Sequence, residues 1–522
     1  MSYSTSLTYA KGRNGHNQDL HYFVDLNHTH QSSFEIPHSI CLLDHYDHLI
    51  LFFECQMGTG GAFVVPLFDI IVILMTLATI SDHHKEQILR NNDPYNATRS
   101  SLGKRALKLL RFYIKTLKDF DHTEKRLYDL ELLRCQFFIV IDQLFVNTSL
   151  KNPYASYISC LEQKSGVLGT EFITSTIGKR ANFLNTILWT FSNSLQDDRA
   201  LYTSIHEVWM PIQDIMLDLI ELRHDYYIRN EIDKGDGRLE IFKALARSPL
   251  ARFLTSMDSS RQFSRRFCGY IFIMCDYKSN LKATEELQIY PVHRGEESFS
   301  PTFVSRVRYT RDYKLQKSFL MQRRFLKICF RLYLDIPAGF ELSSPSFNLE
   351  DLVEEISKNL AEFNDIKQFE AFFFANYRQS LHMMPYIAQT TLIRIFSGFI
   401  DRSQKKSISL PKVNLVDILN NADSFLTQCI SLFQEGFFML WDIESKNSFI
   451  LDNMKADTCL IVLLNRMQYL NGKSTLIDSK YYDEFVSSIN KNDSERRDII
   501  NRHFLGEEVS DFHSVITQLL DI

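Results

Sequence analysis

Apolar residues recur every three or four positions along most of this 522-residue chain. The clearest run is Leu130, Leu133, Phe137, Ile141 and Leu144, a spacing that places all five side chains on one face of an α-helix. Glycine and proline, which punctuate strand-rich and loop-rich folds, number only 18 and 12. The sequence therefore predicts an all-α protein. No repeat of fixed period is present, which argues against a regular solenoid.

A second strong helix is predicted from Asn348, whose side chain can accept a hydrogen bond from a free backbone amide at a helix start. Leu352, Ile356, Leu360 and Phe363 then recur on one face, which we expect to pack inward. The same periodicity predicts further helices over residues 181–195, 205–222, 319–334, 413–432 and 459–470.

Turn-forming residues and a loss of periodicity divide the chain at residues 278–305, the longest break of this kind. We expect an irregular multi-helix fold of two packed helical lobes, one over residues 21–277 and one over residues 306–522, joined by this linker. Residues 1–20 have the composition of neither a secretory signal nor a transit peptide. We predict that they form a disordered tail instead.

Residues 62–80 form an almost wholly apolar run of 19 residues, near the minimum length for crossing a bilayer. Pro66 and Asp69 lie within the run, and no basic cluster flanks it. A carboxylate in hydrocarbon costs about 2 kcal/mol or more. The run is therefore predicted to be a buried central helix, and no membrane association is expected.

No complete motif for catalysis or cofactor binding is present. Residues 472–475 resemble the end of a phosphate-binding loop, but the required glycine is replaced by Met467. The nine cysteines show no metal-ligand spacing, which is typical of a reduced, intracellular chain. The histidines near the N-terminus lack companion ligands in a fixed geometry. We therefore predict no enzyme activity, no catalytic or metal-binding residues and no cofactor, although an unrecognised helical enzyme remains an alternative.

The first of two basic regions lines one side of a predicted helix. Its cations are Lys104, Lys108, Arg111, Lys115 and Lys118, spaced 4, 3, 4 and 3. The formal net charge of -5 excludes a nucleic-acid footprint for the molecule as a whole, so any such contact must be local. Three interpretations of this face stay open. It is an ordinary solvated surface, a contact for an acidic protein, or a contact for phosphates.

The second basic region spans residues 306–331, with nine basic residues against the single acid Asp312. Arg324, Lys327 and Arg331 share a helix face, and Arg323 adjoins it. We expect these side chains to present cations to DNA or to an acidic partner while the opposite face packs inward.

Short apolar runs beside acids could add an edge strand to a small ubiquitin-like modifier. The candidates are Leu49, Ile50 and Leu51, then Ile70, Ile71 and Val72, and residues 460–464. The alternative is that all three runs are helical core, since a buried run cannot pair with a partner.

Several blocks, in one order along the chain, resemble the non-SMC element five family of fungal proteins. They are residues 41–48 (CLLDHYDH), 92–96 (NDPYN), 105–110 (RALKLL), 128–138 (YDLELLRCQFF), 157–163 (YISCLEQ), 187–190 (ILWT), 192–196 (SNSLQ), 275–278 (CDYK) and 491–494 (KNDS). The resemblance extends from about residue 21 into the C-terminal lobe.

The resemblance implies a non-catalytic subunit of the structural-maintenance-of-chromosomes five/six complex, associated with chromosomes in the nucleus. It implies an obligate heterodimer with non-SMC element six that regulates ATPase activity and DNA loading. The expected processes are DNA repair, homologous recombination and replication fork recovery. The expected partners are the core complex and its ligase subunit for small ubiquitin-like modifier (SUMO), with SUMO itself a candidate and DNA contact indirect or weak. The alternative is a helical DNA-binding protein acting through residues 306–331.

Overall fold

A computed structural model describes residues 35–41, 43, 45–58, 64–80, 99–119, 128–143, 180–194, 200–232, 237–257, 263–273, 275, 289–293, 312–342, 348–374, 383–403, 412–438 and 446–503. Helices make up the regular secondary structure of these residues, and no strand occurs among them. The all-α prediction is confirmed. The predicted tail and most of the predicted linker lie outside the described residues.

Residues 35–41 are helical. The further helices up to residue 271 are α1 (Tyr46–Gly58), α2 (Phe68–Ala78), α3 (Arg99–Asp119), α4 (Tyr128–Gln143), α5 (Arg180–Ser194), α6 (Ala200–Ile232), α7 (Arg238–Arg247), α8 (Pro249–Met257) and α9 (Phe263–Ile271). They are followed by α10 (Asp312–Asp335), α11 (Leu349–Ala361), α12 (Ile366–Phe374), α13 (Met384–Ser403), α14 (Ala422–Gln434), α15 (Lys446–Asn471), α16 (Lys473–Ile477) and α17 (Tyr482–His503).

The chain divides into two compact units. The first comprises residues 1–274, 284–314 and 324–346, and the second comprises residues 275–283, 315–323 and 347–522. This division differs from the two predicted lobes, because residues 324–346 belong to the first unit. Phe325 accounts for part of this difference, because its ring packs against two rings of the first unit. Its ring centroid lies 5.6 Å from that of Phe191 and 6.1 Å from that of Phe253.

α2 is the centre of the first unit. All 11 of its side chains are buried, which confirms the prediction of a core helix in the apolar run. Within the part of the chain that the structure describes, no helix is long and apolar enough to span a membrane. α2 packs closely on α3, because a Cβ added at Gly103 would lie 3.0 Å from the main-chain oxygen of Leu77.

α4 is buried on almost every side. Of the predicted core positions, Leu133, Phe137 and Ile141 are fully buried and Leu130 is partly buried, while Leu144 lies outside the described residues. A buried ion pair joins α4 to α6, where Arg223 Nε donates to the Asp142 carboxylate oxygens at 3.1 and 3.3 Å. α6 is longer than predicted and continues through Pro211.

The second unit confirms one predicted helix start and corrects another. The Asn348 side chain accepts a hydrogen bond from Glu350 N at 3.0 Å, and α11 follows with its predicted apolar face buried. The helix predicted over residues 413–432 is wrong in its first part, because residues 415–420 form turns. α14 begins only after Asn421, whose side chain accepts from Ser424 N at 3.0 Å.

Candidate partner-binding surfaces

Four carboxylates line one face of α6 in the first unit. Asp214, Asp218, Glu221 and Asp225 are spaced 4, 3 and 4, which places them on the same side of the helix. Like charges at these spacings repel one another. This acidic row therefore requires cations from other elements.

Arg324 of α10 neutralises most of the acidic row. Its Nη1 contacts the Asp214 carboxylate and donates to the Asp214 main-chain oxygen at 3.0 Å. Its Nη2 contacts the Asp218 carboxylate and donates to Glu221 Oε2 at 2.8 Å. Burial alone lowers the pKa of Arg324, but these carboxylates outweigh burial and raise that pKa above its ordinary value. The expectation that Arg324 is presented to a partner is wrong, because its own chain surrounds it with acids.

Arg331 and Lys118 complete this neutralisation. Arg331 forms an ion pair with Asp225, and its Nε lies 3.8 Å from Asp335 of its own helix. Lys118 Nζ of α3 lies 2.6 Å from Asp218 Oδ2. Arg331 is half-buried, and its contact with DNA or an acidic partner stays a prediction.

Arg323 and Lys327 have opposite environments. Arg323 is buried in the second unit and donates to the main-chain oxygen of Phe373 at 3.2 Å. Burial lowers the pKa of Arg323 to about 10, and its expected exposure to a partner is wrong. Lys327 is exposed, and no ion pair to it exists within the part of the chain that the structure describes. Contact of Lys327 with DNA or an acidic partner stays a prediction.

α3 carries the basic face that the sequence predicts. Lys104, Lys108, Arg111 and Lys115 are all exposed, and none of the four has a hydrogen-bond or ion-pair partner among the described residues. The opposite side of α3 is buried. Phe112, with 36% of its surface exposed, lies at the margin of the four cations.

Ion pairs fix the position of α3 on either side of this face. Arg105 donates through Nε and Nη2 to the Glu54 carboxylate of α1 at 3.1 and 2.6 Å. Its Nη1 also donates to Asp47 at 2.6 Å. Hydrogen bonds to Glu54 raise the pKa of Arg105 against the opposing effect of burial. α3 therefore uses Arg105 and Lys118 for its own packing and leaves the four exposed cations available.

The short apolar runs are helical and mostly buried. Ile70, Ile71 and Val72 lie in α2 with at most 1% exposure, and Leu49 and Ile50 of α1 are fully buried. In the first run only Leu51 is exposed, and residues 460–464 lie within α15. The structure thus has these runs as helix, as in the alternative of helical core, whereas β-augmentation needs an exposed, extended segment. Contact of the exposed Leu51 with such a modifier stays a prediction.

Buried cysteines and histidines have environments that suppress their reactivity. Burial raises the pKa of Cys135 to about 12 and lowers the pKa of His38 to about 4. A protonated thiol is a poor nucleophile at neutral pH. Within the described residues, no group of three or more His, Cys, Asp and Glu side chains could hold a metal ion.

Sequence reasoning missed the acidic row of α6, although its signal is the same as that of the basic faces. Acids spaced 4, 3 and 4 positions apart share one helix face just as lysines with that spacing do, so the row could have been recognised in the sequence. The pairing itself has no local signal, since Arg324 and Asp214 are 110 positions apart.

Comparisons with known proteins identify relatives of the whole chain. A model of the family described as DNA repair proteins Nse5 and Nse6 matches residues 1–151 and 145–491. Non-structural maintenance of chromosome element 5 from Saccharomyces cerevisiae is 38% identical over 556 aligned positions, which cover 99% of this chain and 97% of that protein. These similarities agree with the resemblance carried by the sequence blocks.

Proposed function

This chain belongs to the Nse5 family of DNA repair proteins, and from that premise we propose that it forms a heterodimer with non-SMC element six. The family assigns it to the structural-maintenance-of-chromosomes five/six complex as a subunit acting in DNA repair. In the proposed function, the heterodimer regulates the ATPase activity of that complex and its loading onto DNA.

The proposal includes the processes and the location that follow from such a subunit. The heterodimer acts in homologous recombination and in recovery of replication forks, and it is associated with chromosomes in the nucleus. It also contacts the core of the complex and its SUMO ligase subunit. No cofactor and no catalytic residue of this chain take part.

Inhibition of the ATPase requires a difference in affinity. A regulator lowers the population of engaged ATPase heads only if it binds the disengaged heads more tightly. A tenfold preference shifts that equilibrium by up to about tenfold. The proposed heterodimer is therefore a ligand of one conformation of the complex.

The observation that carries the proposal is the extent of the match to the curated relative, 99% of this chain and 97% of that protein. The alignment covers nearly the whole chain and therefore both compact units. The four exposed cations of α3 provide further support, because they leave a charged surface for other subunits.

Affinity purification of the tagged chain from its own cells tests the proposed assembly. The extract is treated with nuclease to remove bridging DNA, and the bound proteins are identified by mass spectrometry. We expect non-SMC element six together with two ATPase subunits. Recovery of neither contradicts the proposal.

ATP hydrolysis by the core complex tests the proposed regulation. The rate is measured with and without the purified heterodimer, and we expect the heterodimer to lower it. A rate that does not change, while the heterodimer binds the core complex, contradicts the regulatory part of the proposal and leaves the subunit assignment in place.

Direct DNA binding through residues 306–331 has less support as a function. Nine basic residues motivated it, and three of them, Arg323, Arg324 and Arg331, contact their own chain. Lys317 and Lys327 are exposed, and residues 306, 308 and 311 lie outside the described residues. With these three arginines occupied by their own chain, fewer cations of the region are left for phosphates, and stable DNA binding at physiological salt needs several phosphate contacts.

A further inference from the structure

We propose that the basic face of α3, formed by Lys104, Lys108, Arg111 and Lys115, is a docking site for an acidic helix of another protein subunit. The inference rests on the proposed function, because it requires the chain to act within a complex. It goes further by naming the surface and the chemistry of its partner: a helix with carboxylates spaced 4, 3 and 4.

The four cations form a straight row on a helix whose position is fixed. From Lys104 to Lys115 the row is about 16 Å long, or three helical turns. Arg105 and Lys118 flank it and hold α3 against α1 and α6 through ion pairs of 2.6 Å. The row is therefore presented in one orientation, which lowers the entropy lost when a partner binds.

The first unit already contains the proposed type of contact. The acidic row of α6, with spacing 4, 3 and 4, receives Arg324 and Arg331 from α10, which are seven positions apart. A row of carboxylates on one helix of this protein thus takes its countercharges from basic side chains of another helix. The row on α3 has the same spacing as the acidic row, but no acidic helix among the described residues faces it.

The surroundings of the row favour a helix over DNA. Asp119 is exposed at the C-terminal end of α3, and Asp47 is exposed near Arg105. Asp119 would repel a phosphate backbone that continued along α3 past its C-terminal end, whereas a partner helix is short and can carry a cation there. Phe112 at the margin also offers an apolar contact, and exposed aromatic side chains are enriched at protein interfaces.

Zero-length cross-linking of the purified complex tests the proposal directly. A carbodiimide joins a lysine amine to a carboxylate only when the two are in contact. Lys118 and Asp218, whose charged atoms lie 2.6 Å apart, provide an internal positive control. We expect Lys104, Lys108 or Lys115 to be joined to carboxylates spaced three or four positions apart in another subunit. Recovery of the Lys118–Asp218 product without any such cross-link overturns the proposal.

Charge reversal gives an independent measurement. The variant K104E/K108E/R111E/K115E is compared with R229E/R238E/K243E/R247E, which reverses four exposed cations elsewhere in the first unit. We expect the α3 variant to bind the rest of the complex about tenfold or more weakly, with a smaller dependence on salt. Circular dichroism of both variants establishes that they are folded. Equal binding by the two variants overturns the proposal.

Duplex DNA binding by the same two variants tests whether DNA, rather than an acidic helix, binds the row of cations. If the α3 variant assembles normally but loses DNA affinity and part of the salt dependence, the row binds phosphate and the proposal is overturned. A wild-type chain that assembles with no complex contradicts the proposed function as well. A wild-type chain that assembles without cross-links from the row contradicts this inference alone.

Discussion

Arg496 and Asp457 form a two-point ion pair inside the second unit, with Nη1 2.7 Å from Oδ2 and Nη2 2.9 Å from Oδ1. Arg496 Nε and Nη2 also donate to the main-chain oxygen of Phe438 at 2.9 and 2.7 Å. The side chains of the pair are only 2% and 8% exposed. One guanidinium thus connects α17 with α15 and with the turn after α14, and its partners have little access to water.

Replacing Arg496 with methionine is expected to destabilise the protein by about 3–5 kcal/mol. The change leaves the Asp457 carboxylate and the Phe438 carbonyl buried without their donor, and burial of an unpaired charge is costly. Urea unfolding of the purified chain, followed by circular dichroism, measures the difference.

The matched control is Arg502→Met on the same helix. Arg502 is 72% exposed and lies 3.9 Å from Asp498, so its loss is expected to change stability by less than about 1 kcal/mol. Equal effects of the two substitutions would contradict a structural role for the buried pair.

Replacing Arg324 with methionine is expected to destabilise the first unit by about 2 kcal/mol. Its removal leaves the carboxylates of Asp214, Asp218 and Glu221 close together without their main cation. Lys327→Met, three positions further along α10, is the control and is expected to lie within about 0.5 kcal/mol of the wild type. Thermal unfolding of the three proteins gives the comparison. Similar melting temperatures for both variants would show that the acidic row does not depend on Arg324.

Local features of the fold could be predicted from the sequence because their causes lie within a few residues. Asn348 starts α11 through a hydrogen bond two residues away, and the spacing of Leu352, Ile356 and Leu360 fixes the buried face. The error at residues 413–421 has a physical reason. Leu415 and Leu419 are buried and four apart, yet they lie in turns, so burial with helical spacing does not require a helix.

The candidate surfaces could be predicted only in part. The spacing of Lys104, Lys108 and Lys115 predicted a shared face, and the structure has them exposed. The same spacing on α10 gave a wrong expectation, because Arg324 meets acids that are more than 100 positions away in the chain. Whether a row of charge is used internally depends on tertiary packing, and a single sequence carries no signal for it.

Two glycines in helices are expected to respond in opposite directions to substitution. Gly103→Leu should lower stability by about 1–3 kcal/mol, since its Cβ would lie 3.0 Å from the main-chain oxygen of Leu77 in the adjacent helix. Gly398→Ala in α13 should raise stability by about 1 kcal/mol, because the added Cβ would have no atom within 4 Å beyond the adjoining backbone of its own helix and alanine favours the helix. Denaturant midpoints of both variants check the signs. Stabilisation by Gly103→Leu would contradict the close packing of α2 on α3.

His224, a fully buried residue of α6, is expected to make the free energy of unfolding vary with pH. Burial, with a smaller contribution from Arg331, lowers the pKa of His224 to about 3 from its ordinary value of 6.5. Between these two pH values the unfolded chain binds a proton that the folded chain does not, so stability is lost as the pH falls below 6.5. We expect His224 to account for a loss of about 2 kcal/mol between pH 7 and pH 5.

His224→Leu isolates this contribution, because leucine does not titrate. The free energy of unfolding is measured for wild type and variant at pH 7 and at pH 5, and the variant should lose about 2 kcal/mol less between them. Comparing the change with pH, rather than the stability at one pH, removes any constant effect of the substitution on packing. The same loss in both proteins would mean that His224 takes up its proton at the same pH in the folded and the unfolded chain, which would contradict its burial beside Arg331.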